Sequence, residues 1–237
     1  MKFEIEPFPH PPPLITVVSH ERLDQGLFYQ TFPFEDPVTV IEIGSEESVE
    51  QTIPTLSETE ILVVSTQYPE EDRLSMEALS GAAENAFPKI LFTPREVPVE
   101  GFTNQVYFSE GSVSLSAQLG RFLGLIVGSY HKGGSICISI EDLVRLCKIA
   151  NFHYRFYPYR EGSLVQFSKE CLLKLEEERI KKSNLCFVIL FGHDLALMEE
   201  LSEISHLFWG WVDRSNDFRY NFFIVGEEHR GMSVLIA

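Results

Sequence analysis

Residues 185–201 read LCFVILFGHDLALMEEL, and residues 221–237 read NFFIVGEEHRGMSVLIA. The continuous apolar run 185–191 has the pattern of a strand buried on both faces. It passes through Gly192 into a helical pattern opening at Asp194 and running to about Trp211. On that helix Leu195, Met198, Leu201, Ile204, Leu207, Phe208 and Trp211 form one apolar stripe, which is expected to pack on a sheet. Two further strands follow, joined by a Gly-containing turn. Strand, helix, strand, strand is a compact α/β unit.

Working toward the N-terminus, FHYRFYPY (152–159) alternates as a strand, with Phe152, Tyr154 and Phe156 on one face and His153, Arg155 and Tyr157 on the other. Packing between sheet and helix explains so aromatic a strand more simply than an exposed interface does. SKECLLKLEEERIKK (168–182) reads as a helix with Ser168 at the N-cap, carrying Glu177–Lys181 and Glu178–Lys182 pairs on a solvated face. Residues 112–134 are apolar nearly all round toward their end, as in a helix buried on every side. Before them ITVV (15–18), VTVIEI (38–43), ILVVS (61–65), KILFT (89–93) and QVYFS (105–109) are short strand-like runs. Helical patterns fit between some of these, over 46–54 and 72–86. Strand–helix alternation with apolar strands favours a parallel sheet covered on both faces.

The chain has 237 residues, 44% of them hydrophobic, enough for one large or two small cores. Its net charge of −16 disfavours nucleic acid and anionic membrane, because either polyanion would repel it. Cys137, Cys147, Cys171 and Cys186 are widely spaced and three lie in apolar patterns, which fits reduced thiols in a cytoplasmic protein. MKFEIEPFPHPPPL at the start reads as a proline-rich extended arm rather than a signal peptide. LGRFLGLIVG is interrupted by Arg121 and is too short to cross a bilayer.

The order of elements, with the spelling DLxLxE at Asp194, Leu195, Leu197 and Glu199, resembles the second domain of the tubulin/FtsZ superfamily, bacterial FtsZ in particular. The resemblance implies an α/β protein with a shortened Rossmann-like parallel-sheet first domain, a central helix and a two-layer α/β second domain. The expected organisation is an arm over 1–13, a first domain over 14–111, the central helix over 112–134 and a second domain over 135–237. FtsZ binds GTP on a GGGTGTG loop that follows the strand matching ILVVS. Here that strand is followed by Thr66, Gln67, Tyr68, Pro69, Glu70, Glu71 and Asp72. A phosphate cradle needs glycines whose amides converge on the anion. Three carboxylates repel a triphosphate by roughly 4 kcal/mol per close charge pair at intermediate dielectric. The NxDxxD loop that reaches the next subunit's nucleotide in FtsZ aligns with Cys137, Ser139 and Asp142, so only one acidic position survives; Asp142 also serves as a helix cap. FtsZ continues past its last strand into a linker and a partner-binding peptide, whereas this chain stops at SVLIA, so that adaptor route is expected to be absent.

No GxSxG, HExxH, Walker loop or dinucleotide fingerprint occurs. Asp194 beside His193 is more simply a helix cap than half of an acid–base pair, and Glu227, Glu228 and His229 are more simply solvated loop charges than metal ligands. No catalytic, cofactor or metal site is therefore expected. The candidate interaction residues come from charge patterning. Glu70, Glu71 and Asp72 sit in a stretch free of Lys and Arg between Arg22 and Arg73, while Arg145, Lys148 and Arg155 enrich the start of the second domain, next to Asp142. Acidic and basic surfaces of that kind can dock head to tail. The expectation is an FtsZ/tubulin-like protein without GTPase activity, acting through self-assembly or through an active FtsZ/tubulin relative. The alternatives are a nucleotide-binding enzyme that holds a metal on the acidic loop, and a structural scaffold unrelated to division.

Overall fold

The computed structural model describes residues 13–34, 38–44, 46–109, 113–130, 151–178, 185–192, 198–212 and 217–236. Its centre is one nine-stranded sheet in the order β2-β1-β3-β4-β5-β6-β9-β7-β8. The strands are β1 (Ile15–Ser19), β2 (Val38–Glu42), β3 (Ile61–Ser65), β4 (Lys89–Thr93), β5 (Asn104–Tyr107), β6 (Phe152–Pro158), β7 (Leu185–Gly192), β8 (Asp217–Ile224) and β9 (Gly231–Ile236). The described α-helices are α1 (Gln25–Thr31), α2 (Glu46–Thr52), α3 (Arg73–Ala82), α4 (Leu115–Tyr130), α5 (Leu164–Glu177) and α6 (Met198–Trp211).

Strands β1 to β5 are all parallel, and β6 continues the sheet in parallel through two residue pairs, Val106 with Phe152 and Tyr107 with His153. Strand β9 lies antiparallel between β6 and β7, and β8 pairs parallel to β7. The sheet thus runs unbroken past the boundary that the sequence suggests near Gly133 and Gly134, which lie outside the described residues.

Both faces are covered, which is why the strands read as continuous apolar runs. On one face Ile15, Val17, Val63 and Phe92 pack against Phe28 of α1 and against Leu119 and Phe122 of α4, and this core continues to Phe152, Tyr154, Phe191 and Leu235. On the other face Val18, Leu62, Val64 and Leu91 meet Met76 and Leu79 of α3. The same face of the second half buries Val188, Leu190, Tyr220, Val234 and Ile236 under α5 and α6. A file of rings ties β4 to the central helix: Phe92 stacks on Phe108 and on Phe122, each at 4.8 Å between centroids. Helix α4 is buried along nearly all of its described length, as its apolar circumference requires.

The strand readings match closely, and the aromatic strand is explained by packing. Phe152 and Tyr154 enter one core and Tyr157 the opposite one, with Phe156 packed against the first. Three local readings need correction. Ser168 is not an N-cap: α5 starts a turn earlier, where Ser163 accepts from the Gln166 amide, and Ser168 is buried inside the helix donating to the Leu164 carbonyl. Met198 does not join the α6 stripe and is 67% exposed, because the sheet-facing row is Leu201, Ile204, Phe208 and Trp211. The segment 46–54 is helical only to Thr52 and then tightens into a 3₁₀ turn over Ile53–Glu58, since Pro54 cannot donate to a continuing α-helix. Helix α1 was not read from sequence at all. It is seven residues long and is set by Asp24, whose carboxylate accepts from the Leu27 amide. The Asp194 opening of α6 and the partners Lys181 and Lys182 lie outside the described residues.

Candidate functional site

Strand β1 connects outward to β2 on one side, and β3 connects to β4 on the other. Their adjacent carboxyl ends form the switch point of the parallel sheet, where open α/β sheets place ligands. Two segments emerge there: His20 and Glu21 after β1, and the turn 66–72 between β3 and α3.

The turn is closed by its own hydrogen bonds. Glu21 takes the Gln67 amide on Oε1 at 2.5 Å, and Thr66 Oγ1 takes the Tyr68 amide at 2.9 Å. The Thr66 amide donates to the Phe92 carbonyl, and the Glu71 and Asp72 amides both donate to the Tyr68 carbonyl. Residue 69 is proline and carries no N–H. The amides of Thr66, Gln67, Tyr68, Glu71 and Asp72 are therefore occupied by protein acceptors rather than free to cradle a phosphate.

Three side chains make a connected set beside this turn. His20 Nδ1 lies 3.3 Å from Asp72 Oδ1, and His20 Nε2 lies 3.3 Å from Ser75 Oγ on α3. The other Asp72 oxygen accepts from Thr66 Oγ1 at 2.5 Å. The His20 side chain is only 8% exposed. Burial pulls its pKa below the ordinary 6.5, against the upward pull of Asp72, so the ring is held neutral. Burial pushes Glu21 above the ordinary carboxylate range, with Asp72 adding to the effect and the Gln67 amide opposing it. Glu21 Oε2 is buried and unpaired in the described structure.

The sequence-based candidates divide in space. Glu70, Glu71 and Asp72 share the mouth of the β1–β3 crevice, but Asp72 turns inward to His20 while Glu71 is exposed. Glu70 pairs with Arg95 at 2.8 Å, both more than half exposed, a surface pair worth ~0–1 kcal/mol. Arg155 lies on β6, well along the sheet, where it forms an ion pair with Glu178 and also donates to the Tyr154 carbonyl. Asp142, Arg145 and Lys148 lie outside the described residues, as do His193 and Asp194. Among the described residues no group of His, Cys, Asp or Glu is arranged to hold a metal. No described helix is long and apolar enough to cross a membrane.

His20 and Glu21 on one side and Ser75 on the other were missed because more than fifty residues separate them and they carry no local motif. One signal was available: two apolar runs destined to be neighbouring parallel strands, each followed directly by polar residues, at Ser19–His20–Glu21 and Ser65–Thr66.

No family model and no curated protein matches the chain. Solved structures do match. A mutant FtsZ of M. jannaschii superposes with a TM-score of 0.65 at 10% identity, over 94% of this chain and 90% of that one. An FtsZ dimer of M. jannaschii, described as empty, gives 0.64 at 9% identity over 94% and 87%. The chain has the FtsZ fold. The phage c-st TubZ of Clostridium botulinum aligns over 94% of this chain and 91% of its own, at 7% identity and a TM-score of 0.43. At these identities the likeness to FtsZ fixes the path of the backbone and carries no residue role with it. What the switch point does in this version of the FtsZ fold must be read from its own side chains.

Proposed function

We propose that this FtsZ-fold chain does not hydrolyse GTP and acts in the cytoplasm through protein–protein contacts, by self-assembly or by regulating a filament-forming relative. The observation that carries the reading is the occupied turn at 66–72. The amides of Thr66, Gln67, Tyr68, Glu71 and Asp72 are spent on Phe92, Glu21, Thr66 and Tyr68, and its mouth presents Glu70 and Glu71 to solvent. A triphosphate would have to displace those bonds and then sit against uncompensated carboxylates. Displacing two of these hydrogen bonds costs about 1–3 kcal/mol before any contact with ligand is made.

Self-contact is supported by the fold. One of the FtsZ structures that superposes on this chain is of a dimer. The acidic mouth is the better-founded half of a docking pair, since Glu71 is exposed and Glu70 is held only by a surface partner. A cationic partner, whether a second copy, for which Arg145 and Lys148 are the candidates by sequence, or a relative, suits it electrostatically.

The experiment is co-sedimentation with an active FtsZ in the presence of GTP, recording polymer mass, bound test chain and phosphate release. Alone, the chain is expected to bind no GTP at millimolar concentration and to release no phosphate. With the active FtsZ it should pellet with polymer or reduce it in proportion to dose, and Glu71→Lys should weaken that effect. Phosphate release by the chain itself would overturn the first half of the proposal. Indifference of the polymer, together with a strictly monomeric chain, would overturn the second.

A further inference from the structure

We propose that Ser75, His20 and Asp72 form an acyl-transfer relay that hydrolyses uncharged or cationic carboxylic esters. The geometry is that of a nucleophile, a base and an orienting carboxylate in series: Ser75 Oγ to His20 Nε2 at 3.3 Å, and His20 Nδ1 to Asp72 Oδ1 at 3.3 Å. Both distances are at the loose end of hydrogen bonding, as resting catalytic sites often are. This inference goes beyond the assembly reading and stands whether or not the chain assembles.

The disposition of Asp72 separates this set from a chance cluster. An aspartate at the N-cap ordinarily folds its carboxylate back onto the amides of its own helix. Asp72 occupies the N-cap of α3 and makes no such bond, giving one oxygen to His20 and the other to Thr66. A carboxylate at Nδ1 fixes the proton of the neutral ring on that nitrogen, which leaves Nε2 as the acceptor facing Ser75. Burial keeps the ring neutral and therefore able to take a proton. The Ser75 hydroxyl otherwise donates to the Asp72 carbonyl at 2.8 Å, so it needs only rotation about one bond to engage Nε2. The positive end of α3, left without an Asp72 cap, lies at the same turn and favours a developing oxyanion.

The chemistry balances without a further reagent. Ser75 Oγ bonds to the acyl carbon while its proton passes to His20 Nε2. The carbon–oxygen bond to the alcohol then breaks, and the alcohol leaves with that proton. Water repeats the cycle, giving a proton to Nε2 and its hydroxyl to the acyl carbon. The carboxylic acid departs, and the proton on Nε2 returns to Ser75 Oγ. Asp72 remains ionised throughout, stabilising the transient imidazolium. The substrate class follows from the surroundings: Glu21, Glu70 and Glu71 repel anionic esters, while Tyr68 of the 66–72 turn and Leu74 of the first turn of α3, 54% and 74% exposed, offer apolar surface.

The test treats the full chain with an alkyl fluorophosphonate, whose phosphorus bonds to an activated serine as fluoride leaves, and locates the adduct by peptide mass. Hydrolysis of p-nitrophenyl acetate is followed in parallel. The expected result is an adduct on Ser75, with labelling and ester turnover each reduced at least ~100-fold in Ser75→Ala and in His20→Gln. Asp72→Asn should lower kcat with KM unchanged, which a purely structural role would not produce. Urea midpoints identify any variant that fails to fold. The wild-type chain decides the matter if they all do, because absence of a Ser75 adduct overturns the relay. An adduct that forms equally fast in folded His20→Gln overturns it too.

Discussion

Four helical glycines give the fold its sharpest test, because the same substitution should carry opposite signs at different sites. Alanine is favoured over glycine inside a helix by roughly 1 kcal/mol, from backbone entropy alone. At Gly81 of α3 and Gly210 of α6 an added Cβ meets nothing within 4 Å, so only that term operates. Both lie near helix ends, which reduces the gain to about 0.5 kcal/mol. At Gly120 of α4 the Cβ would stand 2.4 Å from Thr31 Oγ1 and 2.6 Å from the Phe28 carbonyl oxygen of α1. The hydroxyl can rotate away only by losing its bonds to the Leu27 and Phe28 carbonyls, and the carbonyl is backbone. Reaching an ordinary 3.4 Å contact requires α1 to retreat by about 0.8 Å across a core that includes Phe28 and Phe32. Overpacking of that kind costs about 1–3 kcal/mol, which outweighs the propensity gain. Gly124 is similar but milder, since its neighbour is the Pro33 ring at 2.6 Å. Urea unfolding of the four single variants should rank Gly81→Ala and Gly210→Ala at or above wild type, Gly124→Ala below it and Gly120→Ala lowest. A Gly120→Ala variant as stable as Gly81→Ala would refute the close approach of α1 to α4.

Two further predictions concern the core and the switch point. Phe92→Ala removes the ring shared by the stacks with Phe108 and Phe122 from a site of 0% exposure, and should cost about 3–5 kcal/mol, read from the shift in the urea midpoint. Glu21→Gln should raise stability at neutral pH, because the buried carboxylate is penalised there. A carboxyl raised by burial contributes stability that is fully present below its ordinary 4.5 and is lost as pH rises through the folded value. The advantage of Gln over Glu should therefore vanish below about pH 4.5. Urea melts between pH 4 and 8 measure it, and a gap independent of pH would contradict the assigned burial.

The sequence alone determined which segments are strands and how they succeed one another along the chain, because that information is local. ITVVS, ILVVS, KILFT and LCFVILFG are predominantly apolar on both of their faces, a pattern that fits a strand covered on both sides. The same holds for α4, whose apolar circumference called for burial along nearly all of its described length. Local chemistry also showed that the segment after β3 lacks the glycines of a phosphate cradle. Helix boundaries were less legible, since one turn of helix is worth little until packing selects it. Ser163 and Ser168 are both acceptable caps, and the fit of Leu164 and Val165 into the core under β6 and β9 chose the first. Tertiary structure alone decided the site. His20 ends one strand, while Asp72 and Ser75 open the helix after another, and only the parallel pairing of β1 with β3 carries them to within hydrogen-bonding distance. The Gln67 amide of the turn is likewise taken by Glu21, forty-six residues away along the chain. Periodicity records which face a residue presents, but pairwise proximity across a sheet is set by strand order, and strand order is settled by the packing of the whole chain.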